Sequence, residues 1–440
     1  MGSIGVAAPP NPDRPPPPPR PPALWRSRDF SVFWLVQTLS VAGDSFSYVA
    51  IPLLVLHATG SVAHMGLLTA LGGAASVVTG IFAGVLVDRV NRRALLVGCD
   101  VARAVVYALI PIAWLFAPQV WLIYPVVAIG GVLGMVFKVS YVTAVPRLVA
   151  PERITEANGL LSATYAAAGV GGPMLAGVVS GLFGATAAIG IDAATFAASA
   201  VGLCFVRLRP CPPAAPAAAG GRETPGTSWR DFLAGAQFLW RHPALRSLTL
   251  LLSLLIFMIL GLTDVFIYYL KHDLGRTDGT VGTVLAVAAV GTVVAALLVA
   301  PARRTLGFGT CWIGANALGG LAVVGVGVST DVVAVALLVA TFTFAVAVGG
   351  ICSMSLRQEI TPDHLLGRVT SAFWTIHSAL GPLGAALLTA AVARVGSPTV
   401  LVVAGVSCLT IALSGLLTPI RQRRPEHVPL SPAEAAAGAG

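Results

Sequence analysis

Charged side chains are scarce. Only 10% of the 440 residues are Asp, Glu, Lys or Arg, 56% are hydrophobic, and the mean hydropathy is +0.86. A soluble domain carries about 25% charged residues, so this chain cannot cover itself with a water-facing surface, and its main solvent must be lipid. Lysine is nearly absent, at Lys138 and Lys271 only, against 25 arginines. Together with the abundant Ala, Gly and Pro, that bias points to a GC-rich bacterial genome and carries no mechanism. The six cysteines (Cys99, Cys204, Cys211, Cys311, Cys352 and Cys408) include no C-x-x-C and none at metal spacing from a histidine. No disulfide framework and no metal site are therefore expected, and a free thiol in apolar helix behaves as a small hydrophobe. H-E-x-x-H, P-loop and G-x-S-x-G motifs are missing, as is a soluble sensor domain, which leaves a membrane enzyme or sensor as a remote alternative. No cofactor and no nucleic-acid partner are expected. No apolar stretch precedes about Phe30, so no cleavable signal peptide is expected. Residues 1–30 read as a disordered, basic, Pro-rich cytoplasmic tail.

What the chain has is apolar helix, twice over. A span needs roughly 20 apolar residues at 1.5 Å rise each. Twelve such stretches run at about 31–56, 64–87, 94–116, 121–144, 159–183, 185–206, 246–270, 280–300, 308–328, 332–355, 369–393 and 398–419. Landmarks repeat at nearly one offset. Arg92-Arg93 recurs as Arg303-Arg304, 211 positions later (303 − 92), and Pro151-Glu152 recurs as Pro362-Asp363 at the same offset (362 − 151). Gly172-Pro173 recurs as Gly381-Pro382, 209 later (381 − 172). The fold predicted is therefore an all-α integral membrane protein, with twelve transmembrane helices in two pseudo-symmetric six-helix bundles. The bundles cover residues 31–206 and 246–420, with a linker at 207–245 and a cytoplasmic tail at 421–440. Within the linker, Trp229, Phe232, Ala236 and Leu239 share one helical face opposite charges, the pattern of a helix lying along the membrane surface. Duplicated helix sets of this kind build transporters whose halves rock about a midplane site.

Orientation follows from the arginines. The side bearing the N-terminus holds 22 of them, from Arg14 to Arg424, whereas the other side holds only Lys271, Arg276 and Arg394. The positive-inside rule makes the arginine-rich side cytoplasmic, with both termini there. The expected location is a bacterial cell membrane, and the expected state a monomer in the lipid bilayer.

Between spans 2 and 3 stands Gly84-Val-Leu-Val-Asp88-Arg89-Val-Asn91-Arg92-Arg93. Gly84 lets another helix approach closely. Asp88 can accept hydrogen bonds at a neighbouring helix N-terminus, and Asn91 can take the positive φ of a tight turn. The loop, with Asp100 and Arg103 pairing at i, i+3 behind it, reads as a conformational latch. This segment resembles the signature loop of the major facilitator superfamily, with Asn91 where glycine is usual. The second copy keeps Arg303 and Arg304 but has Val299 at the position of Asp88, so the latch is asymmetric. Val145 to Val149, Pro151 to Arg153, Ala157 to Gly159, Asp192-Ala193, Thr195-Phe196, Arg357-Gln358, Thr361-Pro362 and Gly367 to Val369 are similar to the superfamily's drug and siderophore efflux branch. The resemblance covers about residues 24–420. Span 5 carries Gly169, Gly171, Gly172, Pro173 and Gly177, which look like the antiporter motif of drug exporters. The alternative is a Pro-kinked packing helix with no directional meaning.

Ionisable residues inside spans cost at least about 2.5–3.5 kcal/mol on insertion scales, so each needs a reason. Asp44 lies near the middle of span 1, which the resemblance places beside a central cavity. A carboxylate withdrawn from water holds a proton more readily, so Asp44 can carry protons or substrate, or else pair permanently with Arg103 or Lys138. Lys138 in span 4 either snorkels to the interface or faces the cavity. Asp264 in span 7 is a second proton site or an outer gate, and Asp192 reads as structural. His377 in span 11 titrates near neutral pH or serves as a packing residue. The function expected is secondary active transport, with proton-coupled export of a small amphipathic molecule such as a drug, antibiotic or siderophore. Uptake or facilitation on the same fold is the alternative.

Overall fold

The computed structural model describes Leu24 and residues 27–150, 153–208 and 228–425. The predicted tails and the 209–227 part of the linker lie outside the described residues, as do the side chains of Gly84, Asp88, Arg89 and Trp229. The first bundle consists of α1 (Arg28–Thr59), α2 (Val62–Arg89), α3 (Arg92–Trp114), α4 (Val120–Ala144), α5 (Ile154–Phe183) and α6 (Ala185–Leu203). A shorter helix, α7 (Ser228–Arg241), leads into the second bundle. That bundle comprises α8 (Pro243–Ile259) with α9 (Leu262–Tyr268), α10 (Asp278–Leu306), α11 (Phe308–Val328), α12 (Val332–Ile360), α13 (Asp363–Ala379) with α14 (Gly381–Val395), and α15 (Ser397–Ser414). Among the described residues, eleven helical stretches are long and apolar enough to cross a membrane. The apolar part of α5, Ala167–Phe183, is a shorter one, and together they make the twelve spans.

Local chemistry sets the helix ends. The side chains of Ser27, Thr277 and Asp331 accept hydrogen bonds from N–H groups in the first turns of α1, α10 and α12, removing orphan donors. Gly184 joins α5 to α6 at φ 87°. Gly396 joins α14 to α15 at φ 81°, 212 positions later (396 − 184). A positive φ is cheap only for glycine, so both copies turn on the same residue type. Asn91 differs from its expectation. Its φ is −60°, and its side chain accepts from the N–H groups of Arg93 and Ala94 at 2.9 and 3.4 Å. It starts α3 as an N-cap, where an exposed asparagine gains more than in a left-handed turn.

The two copies treat their proline differently. Helix α5 continues through Pro173, whereas span 11 breaks at Leu380 just before Gly381-Pro382, and span 7 breaks at Leu260-Gly261. These interruptions face each other: a Cβ on Gly381 would lie 2.8 Å from the Leu260 side chain, and one on Gly261 would lie 2.8 Å from the Ala385 backbone.

Core packing separates the two membrane faces. On the arginine-poor side one apolar core joins the bundles, with Leu53, Leu54 and Ile189 packed in the same cluster as Leu262, Phe266 and Val284. On the arginine-rich side the cores are separate. Phe30, Phe33, Leu96 and Leu203 belong to one, and Leu248, Phe308, Trp312 and Leu356 to the other. Helix α7 does not present its apolar face to lipid as expected. Leu239, with Phe232 and Ala236, packs against Val369, Ala372 and Phe373 of α13, because Gly235 leaves room for the Arg368–Val369 backbone.

A candidate translocation site between the two bundles

A cavity of about 330 Å³ lies where the bundles meet. Helix α1 contributes Asp44, Ser47 and Tyr48; α2 contributes Met65, Leu68 and Thr69; and α3 contributes Tyr107. Leu260, Thr263 and Asp264 close it from the second bundle. The Asp44 side chain is 44% accessible and its carboxylate is bonded by Arg103, itself only 9% accessible. Arg103 also stacks on Phe196 of α6, with the guanidinium carbon 3.8 Å from the ring centroid. A cation on an aromatic face in a dry setting gains up to about 2 kcal/mol. Asp192, fully buried on α6, accepts from Ser47. It can sit there because Gly43 on α1 has no Cβ: one would fall 2.8 Å from an Asp192 oxygen.

Polar contacts that tie the bundles together sit at this cavity and beyond it toward the arginine-poor face. Tyr48 donates to Thr263 at 3.3 Å and Thr69 donates to Asp264 at 2.6 Å. His57 lies 3.4 Å from Asp278, which Lys271 also holds at 2.5 Å. Asp264, 3% accessible, therefore bridges α2 and α9. The span-5 glycines have separate fates. Gly177 packs on Gly282 of α10, where a Cβ would lie 2.6 Å from the partner Cα and 2.9 Å from the Asp278 carbonyl oxygen. The Pro173 carbonyl faces the same contact, and Gly172 packs on Ser45 of α1. Gly169 meets nothing within 4 Å.

Several expected site residues lie apart from this cavity or act differently. Arg103 passes by Asp100, its expected i, i+3 partner, and pairs with Asp44; fully buried Asp100 stays in the core of the first bundle. The longer reach brings the guanidinium to a carboxylate that also faces the cavity. Lys138 is exposed on α4 and does not contact Asp44. His377 stacks on Phe373, with ring centroids 5.2 Å apart, and lines a separate apolar cavity of about 270 Å³ with Asn316 and Trp374. Within the latch segment, Arg93 donates to the carbonyls of Leu203 and Cys204. It thereby caps the end of α6 in its own bundle, and Arg92 at the start of α3 is partly buried.

Sequence reasoning did not bring Asp192, Tyr48 or Thr69 to the site, and it missed Arg357 as a buried cation. Arg357 is 2% accessible, donates to Ser353 at 2.9 Å and stacks 3.5 Å from the Phe373 centroid. The available signal was that Asp192 is an ionisable residue inside apolar helix and so needs a polar partner, which Ser47 supplies.

Residues 33–385 match the Major Facilitator Superfamily. Among curated relatives, the enterobactin exporter EntS of Citrobacter koseri is 25% identical over 91% of this chain and 94% of its own length. EntS of Escherichia coli (strain UTI89) is 24% identical over the same shares. Among solved structures, a bacterial homologue of the lysosomal transporter Spinster, inward-facing and unoccupied, superposes with a TM-score of 0.74 at 15% identity, covering 92% of this chain and 99% of that one. A point mutant of the nucleoside transporter NupG gives 0.73 at 12% identity, covering 88% and 99%. A D-xylose–proton symporter gives 0.67 at 13% identity, covering 89% and 97%. Twelve spans in two bundles, a cavity holding two carboxylates at their junction and a family match over most of the sequence lead to one assignment: the chain belongs to the Major Facilitator Superfamily and is a multi-pass membrane transporter.

Proposed function

We propose that this transporter is a proton-coupled exporter of a small amphipathic molecule, working by alternating access in a bacterial inner membrane with its arginine-rich face in the cytoplasm. The observation that carries the reading is Asp44: an intramembrane carboxylate that opens onto the inter-bundle cavity and is matched by one buried arginine. A carboxylate in that position exchanges its proton with whatever enters the cavity, and a proton gained there weakens its hold on Arg103. The separate cores on the arginine-rich side and the shared core on the other support two states that differ in which face is parted. The EntS relatives are exporters by name, and the cavity joins carboxylates to apolar Met65, Leu68 and Leu260, which suits an amphipathic substrate of siderophore or antibiotic type.

Inverted vesicles carrying the protein, with an acid interior reported by a quenched amine dye, test this directly. Enterobactin and a panel of antibiotics are added in turn, and at least one should collapse the gradient. A compound that enters such vesicles only down its own gradient, with no proton movement, would support a facilitator instead.

The segment from Gly84 to Arg93 is proposed as the conformational latch at the α2–α3 turn, with Asp88 its central acid. Asp88→Asn should slow turnover by about tenfold while leaving equilibrium binding of the same compound unchanged, since one charged hydrogen bond is worth about 1.5–3 kcal/mol. Stopped-flow transport beside binding calorimetry separates the two quantities, and unchanged turnover would remove the latch.

A further inference from the structure

The second repeat carries a site that the transport reading does not use. At its arginine-rich end, α10, α12 and the segment after α15 enclose a pocket of about 710 Å³. Val299 stands in its wall at the position where the first repeat has Asp88, so the acid of the first copy is missing here. Four arginines line the pocket: Arg303, Arg304, Arg423 and Arg424. Among the described residues the only carboxylate in the lining is Glu359, and Arg303 takes it with both forks, at 2.9 and 2.5 Å. Arg423 donates to the Thr305 carbonyl at 2.6 Å. Among the described residues Arg304 and Arg424 have no carboxylate partner, and both are exposed.

The arginines are held in place. The Phe308 and Gly309 N–H groups at the start of α11 donate to the carbonyls of Arg423 and Gln422 at 3.0 and 3.2 Å, which fastens the segment after α15 across the pocket rim. Gly307, at φ 86°, permits this, since a Cβ there would lie 3.0 Å from the Arg423 Cα. Those helix donors are thus occupied, and recognition falls to the side chains.

We propose that this pocket binds a phosphate-bearing anion through Arg304, Arg423 and Arg424, supplied by the headgroup of an anionic phospholipid or by free phosphate. Guanidinium forks match phosphate oxygens two at a time. The pocket lies where α10 and α12 end at one membrane face, the depth of lipid headgroups, and basic pockets between membrane helices suit anionic lipids. The anion supplies the negative charge that Val299 removed from the repeat.

The purified full-length protein tests this in detergent with three probes: phosphatidylglycerol, phosphatidylcholine and inorganic phosphate. Retained lipid is counted by native mass spectrometry, and the unfolding midpoint is followed by tryptophan fluorescence. The native protein and Arg276→Gln, altered on the opposite face, should retain phosphatidylglycerol over phosphatidylcholine and unfold at a higher temperature with it. The double variant Arg304→Gln/Arg424→Gln should bind about tenfold or more weakly. Val299→Asp, which restores the acid of the first repeat, should weaken binding similarly by an independent route. A response to inorganic phosphate without one to phosphatidylglycerol would identify a soluble anion as the ligand. Equal binding of phosphatidylglycerol and phosphate by the native protein, the double variant and Val299→Asp would overturn the proposal.

Discussion

Asp44→Asn is expected to abolish proton-driven transport, by about a hundredfold or more, while the protein still inserts and folds. Asparagine keeps an oxygen that can accept from Arg103, which remains stacked on Phe196. Arg103 is only 9% accessible, so losing its counter-charge costs stability, on the order of 3 kcal/mol, with the oxygen that asparagine keeps as the remaining acceptor. What asparagine cannot do is exchange a proton. The variant resembles the protonated state permanently, so a pH gradient has nothing to act on. Gradient collapse in inverted vesicles and the unfolding midpoint in detergent read the two quantities separately. Undiminished coupled transport by a folded Asp44→Asn protein would take this carboxylate out of the mechanism. Asp44→Ala extends the test by also removing the hydrogen-bond acceptor.

Gly177→Ala should be a strongly disruptive one-carbon change in α5, and Gly169→Ala, two turns away on the same helix, should be nearly silent. Alanine improves helix propensity over glycine by about 1 kcal/mol, so both substitutions begin with a small gain. At Gly169 the new methyl meets nothing within 4 Å, and the gain stands. At Gly177 it would lie 2.6 Å from the Gly282 Cα and 2.9 Å from the Asp278 carbonyl oxygen. Both are backbone atoms that yield only if α5 and α10 part. Overpacking of this kind costs about 1–3 kcal/mol and more where backbone is struck, which outweighs the propensity term. The penalty falls on the state with the arginine-poor face closed, because that contact lies beside the His57–Asp278–Lys271 group. The population should shift about tenfold toward the opposite state. Labelling of a cysteine placed at Tyr48 by an impermeant thiol reagent from the arginine-poor side should rise accordingly, and transport should fall. Gly177→Ala with native labelling and native transport would show that this glycine pair does not hold the face closed.

Much of the architecture was legible along the chain, because lipid leaves the backbone few options. Apolar runs of membrane length must be helices there, and the recurrence of Arg92-Arg93 as Arg303-Arg304 reports duplication without any contact information. Asp44 was legible as a functional candidate for the same reason: an acid in a span is expensive enough to mark itself. Its partner was legible only as a choice between Arg103 and Lys138. Local spacing favours Asp100 for Arg103, and only the packing of α1 and α6 against α3, with Gly43 letting Asp192 in beside Asp44, redirects the guanidinium. The Trp229–Arg246 pattern shows an apolar face but not what covers it, and α13 rather than lipid does.

Composition and periodicity determined by themselves that this protein lives in a membrane, crosses it twelve times and is built twice from one unit. These properties depend on the solvent and on neighbours in sequence. Tertiary structure alone decided which charges meet, where span 7 and span 11 break against each other, and which face of the bundle pair is sealed. Those outcomes depend on how close helices far apart in sequence can approach, and a single missing Cβ at Gly43, Gly177 or Gly282 sets that distance.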